Sequence, residues 1–194
     1  MIAQAAVQEF LTHGYAGACI DDVAKGAGVS KKTLYRLIPT KADLFRASVT
    51  DRIARFMQDA DEAMVDTVDV ADALERYLTE LGNLTLSSDT IAMLRLSIAE
   101  ADRFPELASS FYFDAVSAAK GVLVKFIERQ CALGVLNLEQ PATAADMLRG
   151  MMVMEPQRAY MMTGAPLPTP DEIANRARQC VRIFLRGCMV ATKS

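Results

Sequence analysis

The sequence of 194 residues predicts an all-α protein. Apolar residues recur at helical spacing along most of the chain, and no segment shows the strict alternation that is typical of a strand. Capping residues, glycines and prolines divide this pattern into about nine helices. The predicted helices cover residues 2–13, 20–26, 31–38, 41–65, 69–82, 88–102, 105–133, 141–163 and 170–191.

The helix boundaries rest on residues with capping or backbone preferences. Thr40 followed by Asp43, and Asp69 followed by Asp72, mark two starts, because a side-chain oxygen at the cap accepts from a free N–H of the first turn. Thr169-Pro170-Asp171-Glu172 adds a proline at the first helical position. Predicted breaks lie at Gly14, Gly28, Pro39, Asn83 to Ser88, Phe104-Pro105, Gly134 to Pro141 and Gly164 to Pro170.

The composition excludes several classes of protein. With 52% hydrophobic and 23% charged residues, the chain is neither disordered nor collagen-like. A single histidine cannot form a multi-histidine metal site, and no metal or cofactor is predicted. The four scattered cysteines indicate free thiols in a reducing compartment. No uncharged stretch approaches the ~20 apolar residues of a membrane span, so we expect a cytoplasmic protein without a signal peptide.

The charge is distributed unevenly along the chain. The net charge of −3 argues at first against a nucleic-acid partner, for which a basic balance is expected. Residues 1–56, however, hold eight basic and five acidic residues and have a net charge of +3. The remaining residues hold 13 basic and 19 acidic residues, a net charge of −6. A small basic head on a larger acidic body is therefore predicted.

Residues 20–38 have the pattern of a helix-turn-helix. Ala24 provides a small residue where two helices cross, and Gly28 permits a left-handed turn four residues later. Ser30 can cap the second helix. The inward face of that helix is predicted to carry Leu34, Leu37 and Ile38.

The opposite face of the second helix is polar and basic. It presents Lys31, Lys32, Thr33, Tyr35 and Arg36. A helix is about 10–12 Å across with its side chains and fits a DNA major groove about 12 Å wide. Lysine and arginine can neutralise phosphates or reach guanine, and hydroxyl groups can donate hydrogen bonds. The alternative interpretation is a helical hairpin whose basic face is only solvated.

The run from Ala5 to Phe45 resembles the amino-terminal domain of the TetR family of transcriptional regulators. The matching positions are Ala5-Ala6, Phe10, Gly14-Tyr15, Val23-Ala24, Ala27-Gly28-Val29-Ser30, Thr33-Leu34-Tyr35, Ile38 and Lys41. The resemblance implies a recognition helix at 31–38, with Tyr35 and Lys41 on the phosphate backbone. Lys31, Lys32, Thr33 and Arg36 would lie in or beside the groove. Residues 1–46 would be the DNA-binding domain and residues 47–194 the ligand-binding and dimerisation domain.

Three departures from the family pattern are expected to weaken DNA affinity without changing the fold. Ala18-Cys19 replaces the usual Thr-Ser or Thr-Thr before the second helix, which removes a hydroxyl cap. Ile38 stands in place of an aromatic residue. The chain also begins close to the first core residue of helix one, without the basic residues that many relatives carry just before it.

The body contains a second, less specific resemblance. Residues 94–116 resemble the regulatory domain of an AefR-like subgroup through R-L-x-x-x-E-x-x-R-F-P-E, and we interpret Arg95, Glu100 and Arg103 there as structural ion-pair residues. The family resemblance implies a small-molecule effector pocket among the helices. Flexible methionines suit such a pocket, although they also suit a plain bundle core. The predicted pocket residues are Met93, Phe111, Met147, Met151 and Met154.

The resemblance also implies a homodimer formed by the last two helices. The final helix carries an apolar stripe that is too wide for one intramolecular contact, formed by Ile173, Ala177, Cys180, Val181, Phe184, Leu185 and Cys188. A two-fold dimer would read a pseudo-palindromic operator in double-stranded DNA.

The leading interpretation is a dimeric, ligand-responsive DNA-binding regulator, most often a repressor in this family, released from its operator by a small apolar molecule. Two other classes of protein are alternatives. An enzyme would need a nucleophile beside His13 and Glu9, and the sequence places none there, so no enzymatic activity is predicted. A protein of the same fold that has lost DNA binding is the other alternative.

Overall fold

The computed structural model describes residues 1–65 and 69–188. The elements are α1 (Ile2–Gly17), α2 (Ile20–Gly26), α3 (Lys31–Leu37), α4 (Lys41–Val65), α5 (Val70–Thr85), α6 (Ser88–Ala99), α7 (Pro105–Ser110), a π-helix (Phe111–Ser117), α8 (Ala118–Ala132), α9 (Pro141–Thr163) and α10 (Pro170–Cys188). The helical path is uninterrupted from α7 through the π-helix to α8, so these residues form nine continuous helices. The described ranges contain no strand, which confirms the all-α prediction.

The predicted helix starts are confirmed at atomic detail. The Asp43 N–H donates to Thr40 Oγ1 at 3.0 Å, while the Thr40 hydroxyl donates to Asp43 Oδ2 at 2.7 Å. Asp69 Oδ1 accepts from the N–H of Ala71 at 2.8 Å. Thr169 and Glu172 form a reciprocal pair, in which the Thr169 N–H donates to Glu172 Oε2 at 2.8 Å.

Several predicted helix ends differ from the structure. The break at Gly14 is present as a kink with φ 67° and ψ 171°, but helical turns continue beyond it to Gly17. Helix α5 runs on to Thr85, and α6 ends at Ala99 before a short turn. The π-helix inside the predicted helix 105–133 was not anticipated. Residues 189–191, predicted as the end of the last helix, lie outside the described residues.

Packing divides the chain into two compact units. The first unit comprises Met1–Arg55 and Ser88–Ala118, and the second comprises the described residues of Phe56–Ser87 and Ala119–Ser194. The predicted boundary between residues 46 and 47 concerns function rather than packing, and it stays a prediction. None of the described helices is long and apolar enough to cross a bilayer.

An aromatic cluster forms the centre of the first unit. Phe10 is fully buried, and its ring lies 5.7 Å from the ring of Tyr15 and 5.5 Å from that of Phe45. Phe104 contacts Tyr15 at 4.8 Å in an edge-to-face arrangement. Because Phe10 and Tyr15 belong to α1 and Phe45 to α4, this cluster fixes the frame on which α2 and α3 are held.

The second unit is built where α9 and α10 pack against α5. A Cβ atom at Gly82 of α5 would lie 2.6 Å from Met152 Cε and 2.7 Å from Ile173 Cγ2. The glycine therefore lets both partner helices approach α5 closely.

The stripe on α10 that was assigned to dimerisation is mostly used inside the chain. Its buried members are Ile173, Ala177, Cys180, Val181 and Cys188, whereas Phe184 and Leu185 are only half-buried. Two helices of the same chain, α5 and α9, pack against α10 and bury most of the stripe, so its role in dimerisation stays a prediction. Helical periodicity marks a face that must be buried and does not say which chain buries it.

Arg176 of α10 donates hydrogen bonds to α9 at a position where a proline removes a helical donor. Pro156 lies inside α9 and has no N–H to donate to the carbonyl of Met152, four residues earlier. The Arg176 Nε–H donates to that carbonyl at 2.9 Å, and its Nη2–H donates to the carbonyl of Met151 at 2.6 Å. The guanidinium thus supplies hydrogen-bond donors at the position where the helix lacks one.

Replacing Arg176 by methionine is expected to lower the free energy of unfolding by about 1–3 kcal/mol, because the Met152 carbonyl would lose its partner. Adding Pro156→Ala restores the missing N–H and should recover part of the loss. Urea unfolding of the two single variants and the double variant measures this coupling. Strictly additive effects would contradict the proposed link between Arg176 and Pro156.

Candidate nucleic-acid interface

The turn between α2 and α3 has the geometry that the sequence predicted. Gly28 adopts φ 69°, and the N–H of Val29 donates back to the carbonyl of Ala24 at 3.0 Å. Ala24 is 1% exposed. Ser30 Oγ accepts from the N–H of Thr33 at 3.1 Å and caps α3. A helix-turn-helix with a left-handed glycine at its corner is therefore confirmed.

The inward face of α3 is narrower than predicted. Leu34 is fully buried, and Ile38 follows the helix as a half-buried residue. Leu37 is 59% exposed, so its predicted inward position is wrong. Because α3 ends at Leu37 and has only seven residues, a single apolar position is enough to hold it against its neighbours.

Three predicted DNA-binding residues share one face of α3. Lys32, Tyr35 and Arg36 stand at positions i, i+3 and i+4, on the side opposite Leu34, and all three are exposed. Neither Lys32 nor Arg36 has an acidic partner within residues 1–65 and 69–188. We call Lys32, Tyr35 and Arg36 the cationic face of α3. Its two charges and one phenol are unoccupied groups that suit an anionic surface.

The other two predicted residues of α3 already have partners. Lys31 forms an ion pair with Asp21 at the start of α2, and hydrogen bonding to that carboxylate raises the pKa of Lys31. The Thr33 hydroxyl lies 2.8 Å from that of Ser30. Binding DNA through either side chain would require the exchange of an existing contact, so their predicted roles stay predictions.

Lys41 lies at the first position of α4 and is tied to the end of α1. Its Nζ donates to the carbonyl of Tyr15 at 3.2 Å and to that of Ala16 at 3.0 Å, and it lies 5.7 Å from the centre of the Tyr15 ring. An ammonium group has three donors, so one remains for a phosphate. The predicted phosphate contact of Lys41 is compatible with this geometry and stays a prediction.

A carboxylate from α1 contacts the residue before α2, where Ala18-Cys19 leaves the first turn without a side-chain cap. The N–H of Cys19, which precedes α2, donates to Glu9 Oε1 at 2.9 Å. His13 Nδ1 lies 3.1 Å from the same oxygen, as the one-turn spacing suggested. Sequence reasoning missed the contact between Glu9 and Cys19 because the two residues are ten positions apart and belong to no shared motif.

The predicted effector-pocket residues fall into two groups. Met93 and Phe111 are buried in the core of the first unit. Met147, Met151 and Met154 stand at i, i+4 and i+7 on one face of α9, where Met147 is 65% and Met154 is 57% exposed. The two groups belong to different units, and their role as a pocket stays a prediction.

Comparisons with known proteins agree on the family of this chain. Residues 2–48 match the sequence model described as bacterial regulatory proteins of the tetR family. Residues 72–187 match the C-terminal domain of an AefR-like transcriptional repressor. The chain is also 35% identical over 78 residues to YhgD, an uncharacterized HTH-type transcriptional regulator of Bacillus subtilis. That match spans 40% of this chain and 41% of the length of YhgD.

Solved structures with the same fold cover almost the whole chain. A TetR-family transcriptional regulator from Mesorhizobium loti MAFF303099 superimposes with a TM-score of 0.83 at 25% identity, over 97% of this chain and 95% of that one. The flavonoid-responsive regulator FrrA gives a TM-score of 0.74 at 26% identity, over 98% and 96% of the two chains.

FadR from Bacillus subtilis, solved in complex with stearoyl-CoA, has a TM-score of 0.75 at 16% identity, over 96% of this chain and 97% of that one, and shows the fold alone. The AefR-like match by itself covers more than half of the chain, and the helix-turn-helix has the geometry described above. The chain therefore belongs to the TetR family of transcriptional regulators.

Proposed function

We propose that this chain is a dimeric repressor that binds a pseudo-palindromic operator through α3 of each copy and leaves it when a small molecule binds. The observation that carries the proposal is the cationic face of α3, whose Lys32 and Arg36 are exposed and unpaired within the described residues. The helix is thin enough to enter a major groove. The AefR-like match, described as a transcriptional repressor, supports repression rather than activation.

Helix α4 is the element that would carry a ligand signal to the head. Its first part belongs to the first unit, where Arg46 forms a two-point ion pair with Asp114 of the π-helix at 2.9 and 3.2 Å. Its later part begins the second unit, where the ring of Phe56 lies 5.4 Å from that of Tyr77. A ligand that favours a different position of α4 would move the head and lower its affinity for DNA.

A small-molecule effector is supported by the relatives. FrrA, at 26% identity over nearly the whole chain, is described as flavonoid-responsive. The effector of this chain needs a higher affinity for the DNA-free state than for the DNA-bound state, because equal affinities would leave the equilibrium unchanged.

A dimer through α9 and α10 is supported by large apolar side chains that the single chain leaves exposed. Met147 and Met154 stand two turns apart on one face of α9, and Ile183 of α10 is 60% exposed. Met162, near the end of α9, is 78% exposed. Association of two copies would remove this apolar surface from water.

Replacing both Met147 and Met154 by glutamate is expected to convert the dimer into a monomer, because each substitution would place a charge twice in a two-fold interface. Sedimentation velocity at several concentrations measures the change. Ile98→Glu is the matched control, since Ile98 is 59% exposed and belongs to α6 of the first unit. A double variant that stays dimeric would contradict an interface on this face of α9.

The DNA-binding function is tested by a gel shift with the DNA that lies upstream of the protein's own gene. We expect a specific complex whose affinity falls steeply as the salt concentration rises, because phosphate contacts release counterions. A folded dimer that shifts no DNA at low salt would favour instead a ligand-binding protein that has lost DNA binding.

A further inference from the structure

An arginine occupies a core-facing position of α9 in the second unit. Helix α9 directs one stripe toward the interior, with residues at the spacing i, i+3, i+4 and i+7 that defines a helix face. These residues are Ala145, Leu148, Arg149 and Met152. The other three members are 0% exposed, so Arg149 lies on a helix face that is otherwise buried.

Arg149 is partly buried, and one of its guanidinium donors has no acceptor in the part of the chain that the structure describes. Its Nε atom is buried and has no hydrogen-bond acceptor. The acid one turn earlier on α9, Asp146, is already engaged, because the ammonium of Lys120 lies 2.5 Å from its carboxylate. Buried polar atoms and buried charges are almost always paired in proteins, so an unpaired one indicates a missing partner.

A buried tyrosine lies near Arg149. Tyr77 of α5 is fully buried, donates its hydroxyl to the carbonyl of Ala119 on α8 at 2.8 Å, and packs edge-to-face on Phe56. Burial raises the pKa of Tyr77, and the charge of Arg149 acts in the opposite direction, which places the two groups near each other. Tyr77 thus links α5 to α8 through its hydroxyl and lies near Arg149 of α9.

We propose that Arg149 binds the carboxylate of an amphipathic effector whose apolar part packs among α5, α8 and α9. The inference rests on the ligand-responsive function proposed above, and it replaces a purely apolar effector with an anionic one. An arginine presents Nε–H and Nη–H as two parallel donors that match the two oxygens of a carboxylate. The buried Nε–H gains an acceptor, and the ligand gains its only strongly directional contact.

The first test uses the protein without any added ligand. If Arg149 is a binding residue and not a structural one, Arg149→Met removes a buried N–H that has no acceptor and leaves the melting temperature unchanged or higher. Arg158→Met is the matched control on the same helix, where Arg158 is exposed and forms an ion pair with Glu155. A clearly lower melting temperature for Arg149→Met alone would overturn the proposal.

The second test adds defined probes to the 194-residue chain. Octanoate, decanoate and 2-naphthoate are each compared with the corresponding neutral amide by calorimetric titration and by thermal melting. We expect at least one carboxylate to bind about tenfold or more tightly than its amide, and this preference to disappear in Arg149→Met and to persist in Arg158→Met. Arg149→Lys, which keeps the charge but not the two parallel donors, should retain only part of the preference for the carboxylate.

Equal binding of acids and amides by the natural chain would overturn the proposal, as would undiminished acid binding by Arg149→Met. If none of the three carboxylates binds the natural chain, the proposal is also overturned. Gel shifts run in parallel separate this result from the proposed function. DNA binding without a carboxylate preference would refute only the anionic effector, whereas Arg149-dependent carboxylate binding without DNA binding would refute only the regulator.

Discussion

Replacing Lys32 and Arg36 together by alanine should weaken operator binding on the order of a thousandfold near physiological salt. Both side chains are exposed on the cationic face of α3, and neither pairs with an acid in the described ranges. A dimer would lose two contacts per substitution, four in all. Because each phosphate contact contributes about 0.9 to the slope of log affinity against log salt, the slope should flatten by about 3.6.

The measurement is a salt titration of operator affinity by fluorescence anisotropy on labelled DNA. Lys125→Ala with Arg182→Ala is the matched control, since both residues are exposed in the second unit and the net charge changes equally. Equal losses in the two double variants would show that net charge, and not the face of α3, sets the affinity. An unchanged slope in the α3 variant would contradict its role in DNA binding.

The local part of this interface was predictable because its determinants are local. The left-handed conformation of Gly28 and the Ser30 cap of α3 involve only residues a few positions apart. The prediction for Leu37 was wrong because α3 ends at this residue, and only Leu34 of the helix is fully buried. Apolar periodicity does not reveal how many turns of a helix are buried by its neighbours.

The features that sequence reasoning missed depend on residues far apart in the chain. Glu9 accepts a hydrogen bond from the N–H of Cys19, and Arg176 donates to the Met152 carbonyl that Pro156 leaves without its helical donor. Neither pair follows from a motif, because only packing brings the partners together. The same applies to Arg149, since its position on a core-facing row of α9 is evident only once the buried neighbours are known.

The apolar stripe of α10 shows what an amphipathic sequence pattern leaves open. Its apolar spacing correctly marked a helix face that must be buried, but most of that face packs on α5 of the same chain. On α9, the large apolar side chains that stay exposed are methionines, two of which, Met147 and Met154, are also predicted pocket residues. An amphipathic pattern therefore predicts burial and leaves the burying partner open.

Replacing Phe10 by alanine should strongly lower the free energy of unfolding of the first unit. The side chain is 0% exposed and contacts both Tyr15 and Phe45, so its loss leaves a cavity at the centre of the aromatic cluster. Truncating a buried phenylalanine to alanine costs about 3–5 kcal/mol, a large fraction of the ~5–15 kcal/mol that typically separates folded from unfolded domains.

Because Phe10 belongs to the unit that holds α2 and α3, the Phe10→Ala variant should lose DNA binding well before the second unit unfolds. Urea unfolding followed by circular dichroism, with anisotropy on operator DNA, measures both effects. Phe113→Ala is the matched control, since Phe113 is a 65% exposed phenylalanine of the same unit and should change the free energy of unfolding by less than about 0.5 kcal/mol. Equal destabilisation by the two substitutions would contradict the central position assigned to Phe10, because burial is the property in which the two residues differ.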